Sequence, residues 1–148
     1  MSSVMSDKKT IVNFNDAVVS FTKILADGDW SDEIKFEKGK TPSEVHKSVS
    51  DMVENDEETT LILDHLAVHV LEWEPVVKKR DASAIDKLPG SIGSVVKQLW
   101  GALDDSSKEG MWDELQNICD CFQACRCWVS DQDKLAQVEQ RLLKQSSK

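Results

Sequence analysis

The chain contains 148 residues and carries a formal net charge of −9 at pH 7. A chain of this length suits one domain that buries about 68–70% of its unfolded surface, so it can fold without disulfides. The acidic balance argues against direct nucleic-acid binding, and the absence of an apolar run of about 18 residues argues against a membrane span.

The first predicted element follows a polar amino-terminal segment. Residues 1–12 have no long apolar segment after their first charges, so we expect a mobile tail and not a secretory signal. We expect residues 13–145 to form one helical domain. Asn13 or Asn15 can cap its first helix, which ends near Gly28. The apolar face of that helix consists of Phe14, Val18, Phe21 and Leu25.

The second helix has the clearest start. Thr41 supplies a capping hydroxyl, Pro42 occupies the first helical position, and Glu44 is the third helical residue. This order predicts a capping box, in which the side chains of Thr41 and Glu44 each accept a hydrogen bond from the other residue's backbone N–H. A narrow apolar stripe follows at Val45, Val49 and Met52.

An acidic run without a basic residue follows on that helix and extends beyond it. Its members are Asp51, Glu54, Asp56, Glu57 and Glu58. Such a run can attract a cation or a basic partner. We favour a simpler interpretation, in which Asp56 to Glu58 lie at the start of the next helix, where the macrodipole favours acidic side chains.

The third predicted helix, residues 57–80, is the most apolar segment, and we place it at the centre of the bundle. Pro75 lacks a backbone N–H, which predicts a kink or break near Trp73. His65 and His69 lie one turn apart and resemble half of a metal site. Because the sequence shows no second half, we interpret them as partly buried helix residues and predict no metal ligands.

Three further helices complete an irregular all-α bundle of five or six helices in one domain. The fourth opens at Ser91 and carries Trp100 at the edge of its apolar face. Ser106, with Glu109 three residues later, predicts the cap of the fifth helix, and Ser130 with Asp133 predicts that of the sixth.

Four cysteines occur within nine residues, at Cys119, Cys121, Cys125 and Cys127. On one helix through residues 111–129, these thiols point in different directions and cannot share one tetrahedral zinc ion. We therefore predict buried Cys125, intermediate Cys119 and Cys121, and exposed, reactive Cys127, whose thiolate Arg126 can favour. A metal or redox role for the Cys119–Cys127 cluster is the weakest of three functional alternatives.

The leading functional hypothesis is a non-enzymatic protein-interaction module with a regulatory or adaptor role. Its expected surface includes Trp100, Trp112, Cys127 and Trp128, because tryptophan at the edge of a helix stripe often anchors interfaces. The expected partner is another protein, and self-association can use the same surface. No catalytic motif and no cofactor motif occurs in the sequence.

The second alternative is a carrier of an apolar small ligand or lipid between helices, because the broad apolar face and the proline of the third helix can leave space beside it. The clustered cysteines, together with the lack of a secretory signal, predict a reducing compartment, and we expect the protein in the cytoplasm.

Overall fold

The computed structural model describes residues 8–28, 35, 39–80, 83, 85, 88 and 90–146, and within residues 90–92 and 145–146 it describes the backbone alone. These residues contain six α-helices and no strand, which confirms the predicted all-α bundle. The helices are α1 Lys9–Asp27, α2 Pro42–Asn55, α3 Leu61–Lys79, α4 Gly90–Trp100, α5 Asp105–Cys125 and α6 Gln132–Ser146. A 3₁₀ turn, Arg126–Trp128, joins α5 to α6.

Helix α1 begins one turn earlier than the sequence predicted. Its first residue is Lys9, because Ile11 is buried and extends the apolar stripe toward the amino terminus. Neither Asn13 nor Asn15 is the cap, so that prediction was wrong. Residues 1–7 of the predicted tail lie outside the described residues, and residues 9–12 are helical.

Helix α2 starts as predicted, with both halves of the capping box formed. The Glu44 backbone N–H donates to Thr41 Oγ1 over 3.2 Å, and the Thr41 backbone N–H donates to Glu44 Oε1 over 2.9 Å. The hydrogen bond from the Thr41 backbone is the main cause that lowers the pKa of Glu44. The box therefore fixes where α2 begins.

Helix α3 runs without a break through Pro75, which is exposed. It starts at Leu61, four residues later than predicted, so Asp56 to Glu58 lie in the connection between α2 and α3. Our interpretation of these acids as the first turn of the third helix was therefore wrong. Helix α3 ends at Lys79, and the next residue, Arg80, adopts the left-handed conformation of a helix terminus.

Two helix caps differ from the sequence prediction, because an aspartate near each expected serine provides the cap instead. Asp104 lies two residues before Ser106, and Asp131 directly follows Ser130. Asp104 caps α5 by accepting from the Ser107 backbone N–H over 2.7 Å. Asp131 accepts from the Lys134 backbone N–H over 3.0 Å at the start of α6. Ser130 instead donates its backbone N–H and its hydroxyl to the two carboxylate oxygens of Asp64, each over 2.8 Å.

The hydrophobic core lies where α1, α3 and α5 meet. Helix α5 packs against both α1 and α3, and α3 also contacts α6, so the predicted apolar central helix does lie among other helices. Phe14 on α1 faces Phe122 on α5, with ring centroids 6.3 Å apart. Ser20 on α1 lies beside Glu114 on α5, so the two helices run antiparallel.

The main packing partner of helix α2 is α1 alone. The Thr22 hydroxyl on α1 lies 3.0 Å from His46 Nδ1 on α2. The Asn15 amide, about two turns earlier on α1, reaches the residues that follow α2. The two helices are therefore antiparallel, and one side of their junction is left open to solvent.

Candidate functional site

The cysteine-bearing segment is helical to Cys125 and then tightens into the 3₁₀ turn. Cys125 is buried, Cys121 is intermediate and Cys127 is exposed, as predicted. Cys119 is buried, which corrects the prediction of intermediate exposure. The reason is that α5 has two covered sides, since α3 packs beside the face that contacts α1.

Burial controls the chemistry of the two inner thiols. It is the main cause that raises the pKa of Cys119 and of Cys125 to about 12 in each case. Glu74 and Asp120 contribute to the raised pKa of Cys119, and the neighbouring thiols of Cys121 and Cys127 contribute to that of Cys125. Arg126 does not stand alone beside Cys127, because its guanidinium binds Glu139 and lies over the Phe122 ring. The positive charge of Arg126 is therefore already paired with a carboxylate.

The histidines of α3 are close neighbours, as their spacing requires. His65 is exposed, His69 is intermediate, and their ring centroids lie 6.5 Å apart. In the part of the chain that the structure describes, no group of three or more His, Cys, Asp or Glu side chains is placed to hold a metal ion.

The four residues of the predicted interaction surface lie near opposite ends of α5. Trp112 is buried and packs edge to face on the half-buried Trp100, with centroids 5.1 Å apart. The half-buried Trp128 lies under the Lys8 ammonium group. Because Trp112 precedes Cys125 by thirteen residues, about 20 Å of helix separates the two tryptophan sites. They do not form one patch.

A cleft between α1 and α2 combines apolar and charged groups. Its volume is about 730 Å³. One wall is formed by α1, and the other by the last turns of α2 with the connection to α3. The lining residues are Val12, Asp16, Val19, Ser50, Val53, Glu54, Asn55, Asp56, Glu57 and Glu58. We call this feature the α1–α2 cleft.

The charges of the α1–α2 cleft have one sign. Five of the ten lining residues are carboxylates, and none of the ten is basic. Val12, Val19 and Val53 are half-buried and provide the apolar floor. Lys9 and Lys23 stand one turn beyond the cleft at its two ends on α1. The cleft thus offers an apolar strip with an acidic border.

Asn15 holds the acidic connection in place. It lies in α1, is fully buried, and donates its amide to the backbone carbonyls of Glu57 and Thr59, each over 3.0 Å. Asp56 accepts a further hydrogen bond from the Glu58 backbone N–H over 3.1 Å. These bonds fix the backbone that carries three of the five cleft carboxylates.

Sequence reasoning noticed four of the five acids but missed the α1 wall. Val12, Asp16 and Val19 recur at steps of four and three, which is a second helical stripe on α1. That spacing was available in the sequence. The sequence did not show that α1 packs against α2, and this packing places the second stripe of α1 opposite the acidic run.

No protein-family model, curated protein or solved structure matches the chain. None of the described helices combines the length and the apolar character needed to cross a membrane.

Proposed function

We propose that this protein is a non-enzymatic interaction module, with a regulatory or adaptor role, that receives a segment of another protein in the α1–α2 cleft. The observation that carries the proposal is the cleft itself, with an apolar floor inside an acidic border. Protein interfaces combine an apolar centre with a polar rim in the same way.

The cleft suits a protein segment better than an enclosed small ligand. None of its ten lining residues is buried, so the cleft is open along its length. Sites for small molecules bury about 70–90% of their ligand, which an open cleft does not do. A fatty acid would also bring its own carboxylate toward five others, which Coulomb repulsion opposes.

The two tryptophan sites contribute to the proposal in different ways. Trp100 and Trp112 stabilise the junction of α4 and α5, because their rings pack on each other. Cys127 is exposed and Trp128 is half-buried in the turn that follows α5, so a partner can touch this part of the predicted surface. We place the protein in the cytoplasm, where its four cysteine thiols would stay reduced.

Site-specific photo-cross-linking in cells of the native organism tests this function. A photoreactive amino acid placed at Ser50 in the cleft should capture a protein, and one placed at Asn55 should capture the same protein. The matched control places it at Gln137, an exposed position on α6. Adducts at Ser50 and Asn55 that share one partner, with none at Gln137, support the proposal.

The same experiment can contradict the proposal. An adduct whose added mass is that of a lipid would favour the carrier function. An adduct with a second copy of the chain would identify self-association, which light scattering of the purified protein would then show. Capture of many unrelated proteins, equally at all three positions, would show that the cleft selects nothing.

A further inference from the structure

We infer that the occupant of the α1–α2 cleft is a basic amphipathic helix of a partner protein, which places apolar residues on the valine floor and Lys or Arg against the acidic border. This inference rests on the proposed function, because it assigns the chemical class of the partner at the same site.

The distribution of the carboxylates favours a ligand whose positive charge is spread over several groups. Among the described residues, Asp16, Glu54, Asp56, Glu57 and Glu58 form no ion pair with a basic side chain. They also do not converge in groups of three that could hold one metal ion. A ligand that spreads several positive charges along its length therefore matches them better than a single divalent cation does.

The valines select an amphipathic partner over a purely basic one. The three valines that line the cleft, Val12, Val19 and Val53, are only half-buried. Met52, on the same helix as Val53, is 37% exposed. An apolar stripe on the partner would cover this surface, whereas a flexible polycation would leave it in water.

The shape of the cleft selects a helix. One wall is α1, and the other begins with the last turns of the antiparallel α2 and continues into the connection to α3. A third helix packs well into the groove between two antiparallel helices. Val12 and Val19 are two turns apart, which is about 10 Å along the helix axis. A second copy of this chain is a poor occupant, because each copy carries a net charge of −9.

Synthetic peptides test the inference directly. The probe is a peptide of about 11 residues, three helical turns, with Leu on one face and Lys on the rest. Its first control replaces every Lys with Gln, and its second replaces every Leu with Ser. Titration calorimetry at low and at physiological salt should show binding of the probe, with each control peptide weaker by about tenfold, roughly 1.4 kcal/mol.

A matched pair of protein variants locates the binding. E54Q/E57Q removes two cleft carboxylates, and D105N/D133N removes the same charge from exposed positions on α5 and α6. We expect the cleft variant to weaken probe binding about fivefold and the control variant to change it by less than about twofold, since exposed charges contribute roughly 0.2–1 kcal/mol each. The charge-reversed E54K/E57K should bind a Leu/Glu peptide better than the natural protein does.

Several outcomes would overturn the inference. Equal binding of the Leu-to-Ser peptide, or of spermine, would show that only positive charge is recognised. Equal losses in both protein variants would show an effect of net charge without a site. If photo-cross-linking identifies a protein partner but no basic peptide binds, the proposed function stands and this assignment of the partner fails. If neither is seen, the proposed function fails as well.

Discussion

Helices α5 and α2 show how differently two helices of one bundle can be held. Helix α5 buries seven of its side chains and packs against both α1 and α3. Helix α2 buries Pro42 alone and has α1 as its main neighbour. The comparison teaches that the free energy of folding is concentrated around α5, while the surface open to a partner lies along α2.

The largest loss of stability should follow from creating a cavity in the contact between α5 and α1. Phe122→Ala removes a fully buried ring that packs on Phe14, and it should lower the free energy of unfolding by about 3–5 kcal/mol. Val49→Ala on the half-buried face of α2 is the matched test and should cost about 1 kcal/mol or less. Urea denaturation measures both. Similar losses of stability in the two variants would contradict the proposed difference between α5 and α2.

A smaller loss of stability is expected when Asn15, which connects α1 with the end of α2, is replaced. Asn15→Ala removes two buried hydrogen bonds to Glu57 and Thr59, and it should cost about 2 kcal/mol at roughly 1 kcal/mol for each bond. Because the acidic connection loses its anchor, peptide binding in the cleft should weaken too. The exposed Asn13→Ala should change stability by less than about 0.5 kcal/mol and leave peptide binding intact.

Thr41→Ala tests whether α2 behaves as an independent unit. Loss of the capping box should destabilise α2 by about 1 kcal/mol. We expect faster amide hydrogen exchange throughout α2 and unchanged exchange in α5, because α2 can loosen without disturbing the core. Ser43→Ala, one position inside the box, is the control. Equal acceleration in α5 would show that the two helices unfold together.

The smallest effect on stability belongs to the exposed thiol. Cys127→Ser should change the free energy of unfolding by less than about 0.5 kcal/mol. Limited alkylation of the native protein, read by mass spectrometry, should modify Cys127 first and Cys121 next. Cys119 and Cys125 should react last, because burial raises their pKa to about 12 and keeps them as thiols at neutral pH. Early labelling of Cys119 would contradict the second covered side of α5.

The helices were predictable from the sequence because their apolar residues recur at helical spacing. The capping box at Thr41 was predictable for a related reason, since all of its parts lie within four residues. The predicted caps were wrong where two polar residues close together in the sequence could each cap the same helix. Asp104 and Asp131 provide the caps that were expected from Ser106 and Ser130. One stripe on α5 correctly indicated that Cys125 is buried, but it could not reveal that α3 covers Cys119.

Only the acidic side of the α1–α2 cleft was predictable from the sequence, because a sequence shows local patterns and does not show which distant segments pack together. Its acidic side lies within a short run that composition alone reveals. Its other side depends on contacts between residues more than forty positions apart, such as the bond from Asn15 to Thr59. No local pattern in the sequence reveals such a pairing. A cation or a basic partner was therefore only the less favoured interpretation of the acidic run, with no indication of where either could bind.

The distance along the chain between α1 and two of its neighbours, α2 and α5, also sets an order of events during synthesis. Thr22 meets His46 after 24 residues, whereas Ser20 meets Glu114 only after 94. A ribosome adds about 5–20 residues per second, so α1 and α2 emerge together while α5 follows several seconds later. During that interval the apolar face of α1 that will cover Phe122 is exposed, and the nascent chain presents to chaperones a surface that the finished protein hides.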